Sequence, residues 1–403
     1  MSNEIRGNDR LSDLGRRHLD CLFDPDKNPP ALRLAECLCP DEKRENCDKV
    51  CFFDSMSRDE KGNVVIHEEC CTGCPDCIES CKSSKLKDKK EILPVFELVH
   101  NSDAPVYAMI APAFISQFSE EMTPGKLRSA FKKLGFAGMI EVALFADILT
   151  LKEALEFDRY IKDDRDFMLT SCCCPMWIAM IRRIHGQLVP HMPPSVSPMV
   201  ACGRSIKKLY PEAKTVFIGP CLAKKAEAKE PDVRDAVDYV LTFQEMQEIF
   251  DAVEVDPLKL EEDLKDHSSM AGRIYARTGG VSEAVQRTLD RLRPNRKIPL
   301  VAQQANGVKE CKELLNDLIN GNIKANFIEG MGCVGGCVGG PKSILDKEVS
   351  TKNVNNYGND AQFLTPVDNP YVIELLQRLG FDTIDSLLEH ETIFTRDFNP
   401  NNK

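Results

Sequence analysis

The chain has 403 residues, 42% hydrophobic and 29% charged, with a formal net charge of −11 and 18 cysteines. This is a globular composition, long enough for two or three domains, and its acidity excludes nucleic acid as the main partner. The opening MSNEIRGNDRLSDLGRR lacks an apolar segment and no run is long enough to span a bilayer. No secretory signal and no membrane span are therefore expected, and the protein reads as cytoplasmic, where thiols serve metal or redox chemistry rather than disulfides.

Ten cysteines lie before residue 82. Cys71-Thr-Gly-Cys74-Pro-Asp-Cys77-Ile-Glu-Ser-Cys81 has the C-x2-C-x2-C-x3-C spacing of bacterial ferredoxins, whose fourth cysteine serves a second cluster. Cys37-x-Cys39-x7-Cys47-x3-Cys51 is the plausible partner run, its first spacing one residue short. Cys71, Cys74, Cys77 and Cys51 are assigned to one 4Fe-4S cluster, and Cys37, Cys39, Cys47 and Cys81 to another. Zinc is the alternative, but eight ligands with interleaved fourth cysteines favour two cubes. Cys70 could stand in for Cys71. The lysine-rich KSSKLKDKKE, Lys82 to Glu91, reads as an exposed connector.

Beyond it, apolar runs of strand length alternate with amphipathic stretches, the pattern of an α/β domain. VYAMIAPA (Val106 to Ala113), DFMLTS (Asp166 to Ser171), KTVFIGP (Lys214 to Pro220), VDYVLT (Val237 to Thr242) and IPLVAQQ (Ile298 to Gln304) read as strands. After the first, a helix is expected with Thr123 as its cap, Pro124 in its first turn, Gly135 at its end, and Leu127, Phe131 and Leu134 on one face. The tail from about Ser343 is polar, with one good helix at Pro370 to Gly380.

Three segments carry cysteine beside proline or glycine just after an apparent strand: TSCCCPMW (Thr170 to Trp177), IGPCLAKKAE (Ile218 to Glu227) and FIEGMGCVGGCVGGP (Phe327 to Pro341). Four thiolates drawn from these loops would hold a metal cluster at the carboxyl edge of the sheet, where open α/β folds bind ligands.

In order and separation these segments resemble the three signature motifs of the iron-only (FeFe) hydrogenases, over roughly residues 30 to 345. The triple cysteine and the GPC and VGGP variants look most like the group B branch. The resemblance implies an α/β catalytic domain, two parallel or mixed sheets flanked by helices with the cluster between them, plus a small α+β ferredoxin-like domain. It divides the chain into an N-terminal extension (1–30), a ferredoxin-like domain with two 4Fe-4S clusters (31–92), a catalytic domain (93–345) and a small-subunit-like tail (346–403).

The implied cofactor is the H-cluster: a 4Fe-4S cube joined to a diiron subsite bearing CO, cyanide and a dithiolate bridge. Its four ligands match Cys174, Cys221, Cys333 and Cys337, with Cys337 shared between the two parts. Counting back from Pro175 makes Cys173 the proton-relaying thiol, and Cys172 is then extra; counting forward from Thr170 shifts ligand and relay by one. Lys224 matches the lysine that hydrogen-bonds a cyanide, Met331 a methionine that packs on the diiron site, and Ala111 and Pro112 a supporting stretch. Gly219 stands where a methionine is common, which opens the pocket. Glu153 and Glu156 align with two relay glutamates; the relay serine falls at Pro193, so Ser195 or a water would take its place. The implied activity is reversible H2 oxidation and proton reduction by an oxygen-sensitive enzyme. The implied partners are a ferredoxin-type electron carrier and diiron-site maturation enzymes. The alternatives are a non-catalytic iron–sulfur assembly relative and a hydrogen sensor.

Overall fold

A computed structural model describes residues 29–37, 39, 47, 49–172, 174–389 and 392–398. Cys21 and Cys173 lie outside the described residues. Two short antiparallel ladders come first: β1 (Ala31–Arg33) with β4 (Leu86–Asp88), and β2 (Met56–Arg58) with β3 (Val64–Ile66). With the one-turn helix Asp76–Ser80 they enclose a small core of Ala31, Val64, Cys77 and Leu86, a layout consistent with a ferredoxin-like unit.

The lysine-rich stretch is not an exposed connector. It contains β4, and Lys89 and Glu91 are each 1% exposed. The Glu91 carboxylate accepts from Val240 N at 2.8 Å, and Glu91 N donates to Glu245 Oε1 at 2.7 Å. Lys225 Nζ donates to the same Glu245 carboxylate at 2.9 Å. These partners lie about 150 residues downstream, so nothing local in the sequence marks the burial.

The larger part is built on two parallel sheets. The first contains β5 (Val106–Ile110), β6 (Gly138–Glu141), β8 (Lys214–Gly219) and β9 (Tyr239–Thr242), in the order β6-β5-β8-β9. The second contains β7 (Met168–Leu169), β10 (Ala302–Asn306) and β11 (Phe327–Met331), in the order β10-β11-β7. Helices cover both, which suits strands such as VYAMI that are apolar without alternation. The α/β expectation is borne out, with shorter strands than expected. In the Ile298 to Gln304 stretch pairing starts only at Ala302, because the Asn326 side chain takes the place of the ladder. It donates to Pro299 O at 2.9 Å and accepts from Val301 N at 2.8 Å. Gly138–Glu141, four residues including a glycine, carried no strand signal of its own.

Helix α1 (Pro124–Lys133) follows the expected design. Thr123 Oγ1 accepts from Lys126 N at 3.1 Å, Gly135 takes φ +101°, and Leu127, Phe131 and Leu134 are buried. Helix α2 (Ala143–Tyr160) is different. It is buried almost all round, with Asp147, Thr150, Lys152, Glu153 and Glu156 each at most 1% exposed. Its polar side chains must therefore find partners inside the fold. The Asp147 carboxylate accepts from Ser269 N at 2.6 Å and Gly272 N at 2.8 Å.

The tail packs onto the α/β part. Helix Lys347–Asn359 buries Ser350, Val354 and Gly358, a stripe at four-residue spacing too small and polar to read as a core face. The helix expected at Pro370 runs to Arg378. Farther on, Val196 N donates to Phe394 O at 3.1 Å and Arg396 N to Pro194 O at 3.2 Å, so residues 394–396 are zipped along residues 194–196. Among the described residues, no helix is long and apolar enough to cross a membrane.

Candidate functional site

Strands β7, β8 and β11 each end in one of the cysteine-bearing loops, and both sheets contribute. Cys174 is the N-cap of helix α3 (Pro175–Ile184), at the end of the helix whose dipole favours a thiolate. Its Sγ accepts from Gly332 N at 3.3 Å, which ties the β7 loop to the β11 loop. A side chain at position 332 has no room, since a Cβ would lie 2.6 Å from Met176 Cβ. Burial pushes the Cys333 thiol up, and the charges of Cys221, Cys174 and Cys337 push it further. Three loops thus bring four thiols within electrostatic reach of one another. Gly336, at φ +83°, starts the turn into Cys337, and a Cβ there would lie 2.7 Å from Thr278 N. An all-thiolate set of this kind suits an iron–sulfur cluster. Among the described residues, no three His, Cys, Asp or Glu side chains gather around a single metal-ion position.

Lys224 lies one turn after Cys221 on the short helix Ala223–Glu227 and is 7% exposed. Its Nζ donates to Glu227 Oε2 at 2.6 Å. Burial works against its charge, but Glu227, Cys221 and Cys337 outweigh burial and hold the ammonium up. The same lysine pulls against the burial that pushes the Cys221 thiol up. Glu329 is structural: its carboxylate accepts from Gly279 N and Ser282 N, each at 2.8 Å, at the start of helix Gly280–Leu292. Met331 is buried at the end of β11. Ala111 is buried, and Pro112 opens a single 3-10 turn beside it. Gly219 does not leave open space. A Cβ there would meet the Phe217 ring at 2.7 Å and Ala111 Cβ at 3.1 Å, so those side chains fill the volume a methionine would need. Trp177 packs: its ring lies flush on Gly330, and its Nε1 donates to Thr170 O at 3.0 Å.

Glu153 and Glu156 are fully buried, so the helix that carries them is not an ordinary solvent-exposed one. Burial pushes the Glu153 carboxyl to about 8, helped by the Glu156 charge and opposed by Cys172, Ser171 N and Lys152. Burial also raises Glu156, against the pull of Lys152 and Ser195. Ser195 Oγ lies 3.3 Å from Glu156 Oε2, so the hydroxyl expected to replace the one missing at Pro193 reaches the second glutamate. The Cys172 thiol is more than packing: it touches Tyr275 Oη at 3.8 Å and draws on Glu153. Lys152, which sequence reasoning passed over, donates to both Glu156 and Ser195. A lysine on an EALE-type helix reads as solvated, and Ser195 is 43 residues away.

In the N-terminal unit, Cys51 and Cys71 both raise the Cys77 thiol after burial, and Asp76, Cys77 and Cys71 raise Cys74. Ser55 N donates to Cys51 Sγ at 3.2 Å. Cys51, Cys71, Cys74 and Cys77 therefore lie in one neighbourhood. Cys81 is distinct: Ser83 and the backbone N–H groups of Leu86, Lys85 and Ser83 overcome burial and hold its thiol low. Cys37 and Cys81 both pack against the small core, and Cys37 N donates to Asn63 Oδ1 at 2.8 Å. Cys39 and Cys47 are flanked by residues outside the described ones.

Residues 104–341 match the family described as iron only hydrogenase large subunit, C-terminal domain, which is more than half of the chain. The chain is 27% identical over 366 residues to NADP-reducing hydrogenase subunit HndD of Solidesulfovibrio fructosivorans, covering 76% of this chain and 63% of that protein. It is 29% identical over 276 residues to Iron hydrogenase 1 of Clostridium pasteurianum, covering 58% and 48%. It thus spans less than two thirds of either relative. Similarity extends to Cytosolic iron-sulfur assembly component 3 of Pongo abelii, 25% identical over 344 residues and covering 70% and 72%. Among solved structures, FeFe-hydrogenase HydA1 from Chlamydomonas reinhardtii superposes with a TM-score of 0.62 at 21% identity, over 76% of this chain and 99% of that one.

Proposed function

Because this chain belongs to the iron-only hydrogenase large-subunit family, we propose that it interconverts H2 with protons and electrons. The observation that carries this reading is the meeting of the three cysteine loops, tied by Gly332 N on Cys174 Sγ, with Cys174, Cys221, Cys333, Cys337 and Lys224 within electrostatic reach of one another. When bound, the H-cluster would supply the heterolytic splitting of hydrogen.

The chain's own residues hold, orient and move protons. Cys174, Cys221, Cys333 and Cys337 would hold the cube, with Cys337 shared with the diiron subsite. Lys224 would donate to an anionic cyanide from a position that Glu227 fixes. Met331, Ala111 and Pro112 would line the pocket of the bound cluster and exclude water. Cys173, outside the described residues, is the proposed relay thiol. Glu153, held neutral near pH 7 by burial, passes protons towards Glu156 and Ser195.

Electrons would travel through two 4Fe-4S clusters in a ferredoxin-like domain at 31–92, on Cys71, Cys74, Cys77 and Cys51 and on Cys37, Cys39, Cys47 and Cys81. A ferredoxin-type carrier would take them up, and the diiron subsite would come from maturation enzymes in the cytoplasm. The remaining divisions are 1–30, a catalytic domain at 93–345 and a tail at 346–403; the triple cysteine supports a group B assignment. Infrared spectroscopy of the matured protein tests the reading: CO and cyanide stretching bands are expected, and their absence sinks it. The second reading, a non-catalytic assembly relative, draws on the similarity to the assembly component and expects iron–sulfur clusters without those bands.

A further inference from the structure

Lys152 sits in the middle of α2 with 1% of its surface exposed. Its Nζ donates to the Glu156 carboxylate and, at 2.7 Å, to Ser195 Oγ. Ser195 Oγ lies 3.3 Å from Glu156 Oε2, so the three groups close a triangle. The Ser195 loop is fixed from its other side by the bonds to residues 394–396. The other charged or titratable groups that bear on the two glutamates are few. Arg159 acts on Glu156 from the exposed end of α2, and Cys172 acts on Glu153 from the loop after β7. Tyr275 faces Cys172 from the turn after Arg273.

We propose that Lys152 is a positioning residue of the proton route: its ammonium keeps Glu156 ionised inside the fold and holds the Ser195 hydroxyl against it, so that Glu156 receives protons instead of storing one. A buried carboxylate needs an opposite charge or hydrogen-bond donors beside it, and Lys152 and Ser195 supply these to Glu156. Burial raises both carboxyls, but the Glu156 charge adds to it at Glu153 while Lys152 and Ser195 oppose it at Glu156, so Glu153 is the proton donor of the pair and Glu156 the acceptor. A proton moving outward leaves Glu153 as a carboxylate and arrives on Glu156 as a neutral acid. Its release towards solvent restores the carboxylate. The use of these protons rests on the hydrogenase reading; the charge state of Glu156 does not.

Infrared difference spectra of the full chain against Glu156→Gln at neutral pH test the charge state without any diiron cofactor. Wild type is expected to show no protonated-carboxyl band assignable to Glu156. Lys152→Met is expected to gain one that Lys152→Met/Glu156→Gln lacks, and Lys152→Arg is expected not to gain it. Lys152→Gln serves in place of Lys152→Met should the latter fail to fold. A Glu156 acid band in wild type, or none in the uncharged variants, overturns the proposal. In matured protein, Lys152→Met is expected to lower hydrogen turnover about a hundredfold with its CO and cyanide bands intact, and Lys152→Arg to recover most of it. Undiminished turnover in Lys152→Met also overturns the proposal. Absence of turnover and of those bands in wild type defeats the hydrogenase reading alone and leaves the carboxyl result standing.

Discussion

Gly73 lies so close to Leu222 that a Cβ on it would sit 2.8 Å from the Leu222 carbonyl oxygen. Gly73 is inside the Cys71–Cys74 loop and Leu222 follows Cys221, so the loop that carries N-terminal thiols meets the loop of the candidate catalytic cluster backbone to backbone. Gly73 also holds φ +76°, which a side chain strains. Gly73→Ala is expected to cost about 1–3 kcal/mol in thermal or denaturant unfolding and to slow electron delivery to the catalytic cluster. Stability and electron-transfer rates equal to wild type would remove the constraint.

Iron analysis addresses the ligand sets. Before maturation the chain should carry iron and labile sulfide for three cubes. Cys333→Ser should lower the content by one cube, about four irons, and leave the N-terminal signals unchanged in paramagnetic resonance. Equal iron in the variant and wild type would remove Cys333 from the ligand set.

The three adjacent cysteines can be separated by turnover. Cys173→Ala is expected to suppress hydrogen turnover about a hundredfold or more while the CO and cyanide bands persist. Cys172→Ala should have a smaller effect, because Cys172 acts on Glu153 from the Tyr275 side. A larger loss in Cys172→Ala would make Cys172 the relay thiol.

Glu153 also contributes a pH signature. Burial holds its folded-state carboxyl near 8, far above the unfolded value of about 4.5. Between those values the folded protein binds the extra proton, so stability falls as pH rises through the window and levels off above pH 8. Glu153→Gln should remove that loss, with a slope difference from wild type of up to about 1.4 kcal/mol per pH unit. Parallel stability–pH curves for the two proteins would show that Glu153 titrates normally.

Much of the architecture was visible in the residues because apolar runs such as VYAMI and TVFIG can only be covered strands. Cysteine beside proline or glycine at strand ends marked the site for the same reason, since such loops expose backbone. Partners that meet only through the fold were hidden. Lys89 and Glu91 read as solvated charges until Glu245 and Val240 close over them, and Lys152 shows its place only when Ser195 arrives from another loop. The helix at Lys347–Asn359 was hidden differently: its buried stripe is Ser350, Val354 and Gly358, which no hydrophobic period detects.

The pairing of residues 394–396 with residues 194–196 has a consequence for biosynthesis. When the ribosome has made α2 and the Ser195 loop, roughly the first half of the chain, the segment that locks this loop does not yet exist. The outer end of the proposed proton route is therefore among the last parts of the molecule to be secured. Any product truncated before Phe394 would carry every cluster cysteine and leave the Ser195 loop without its clasp.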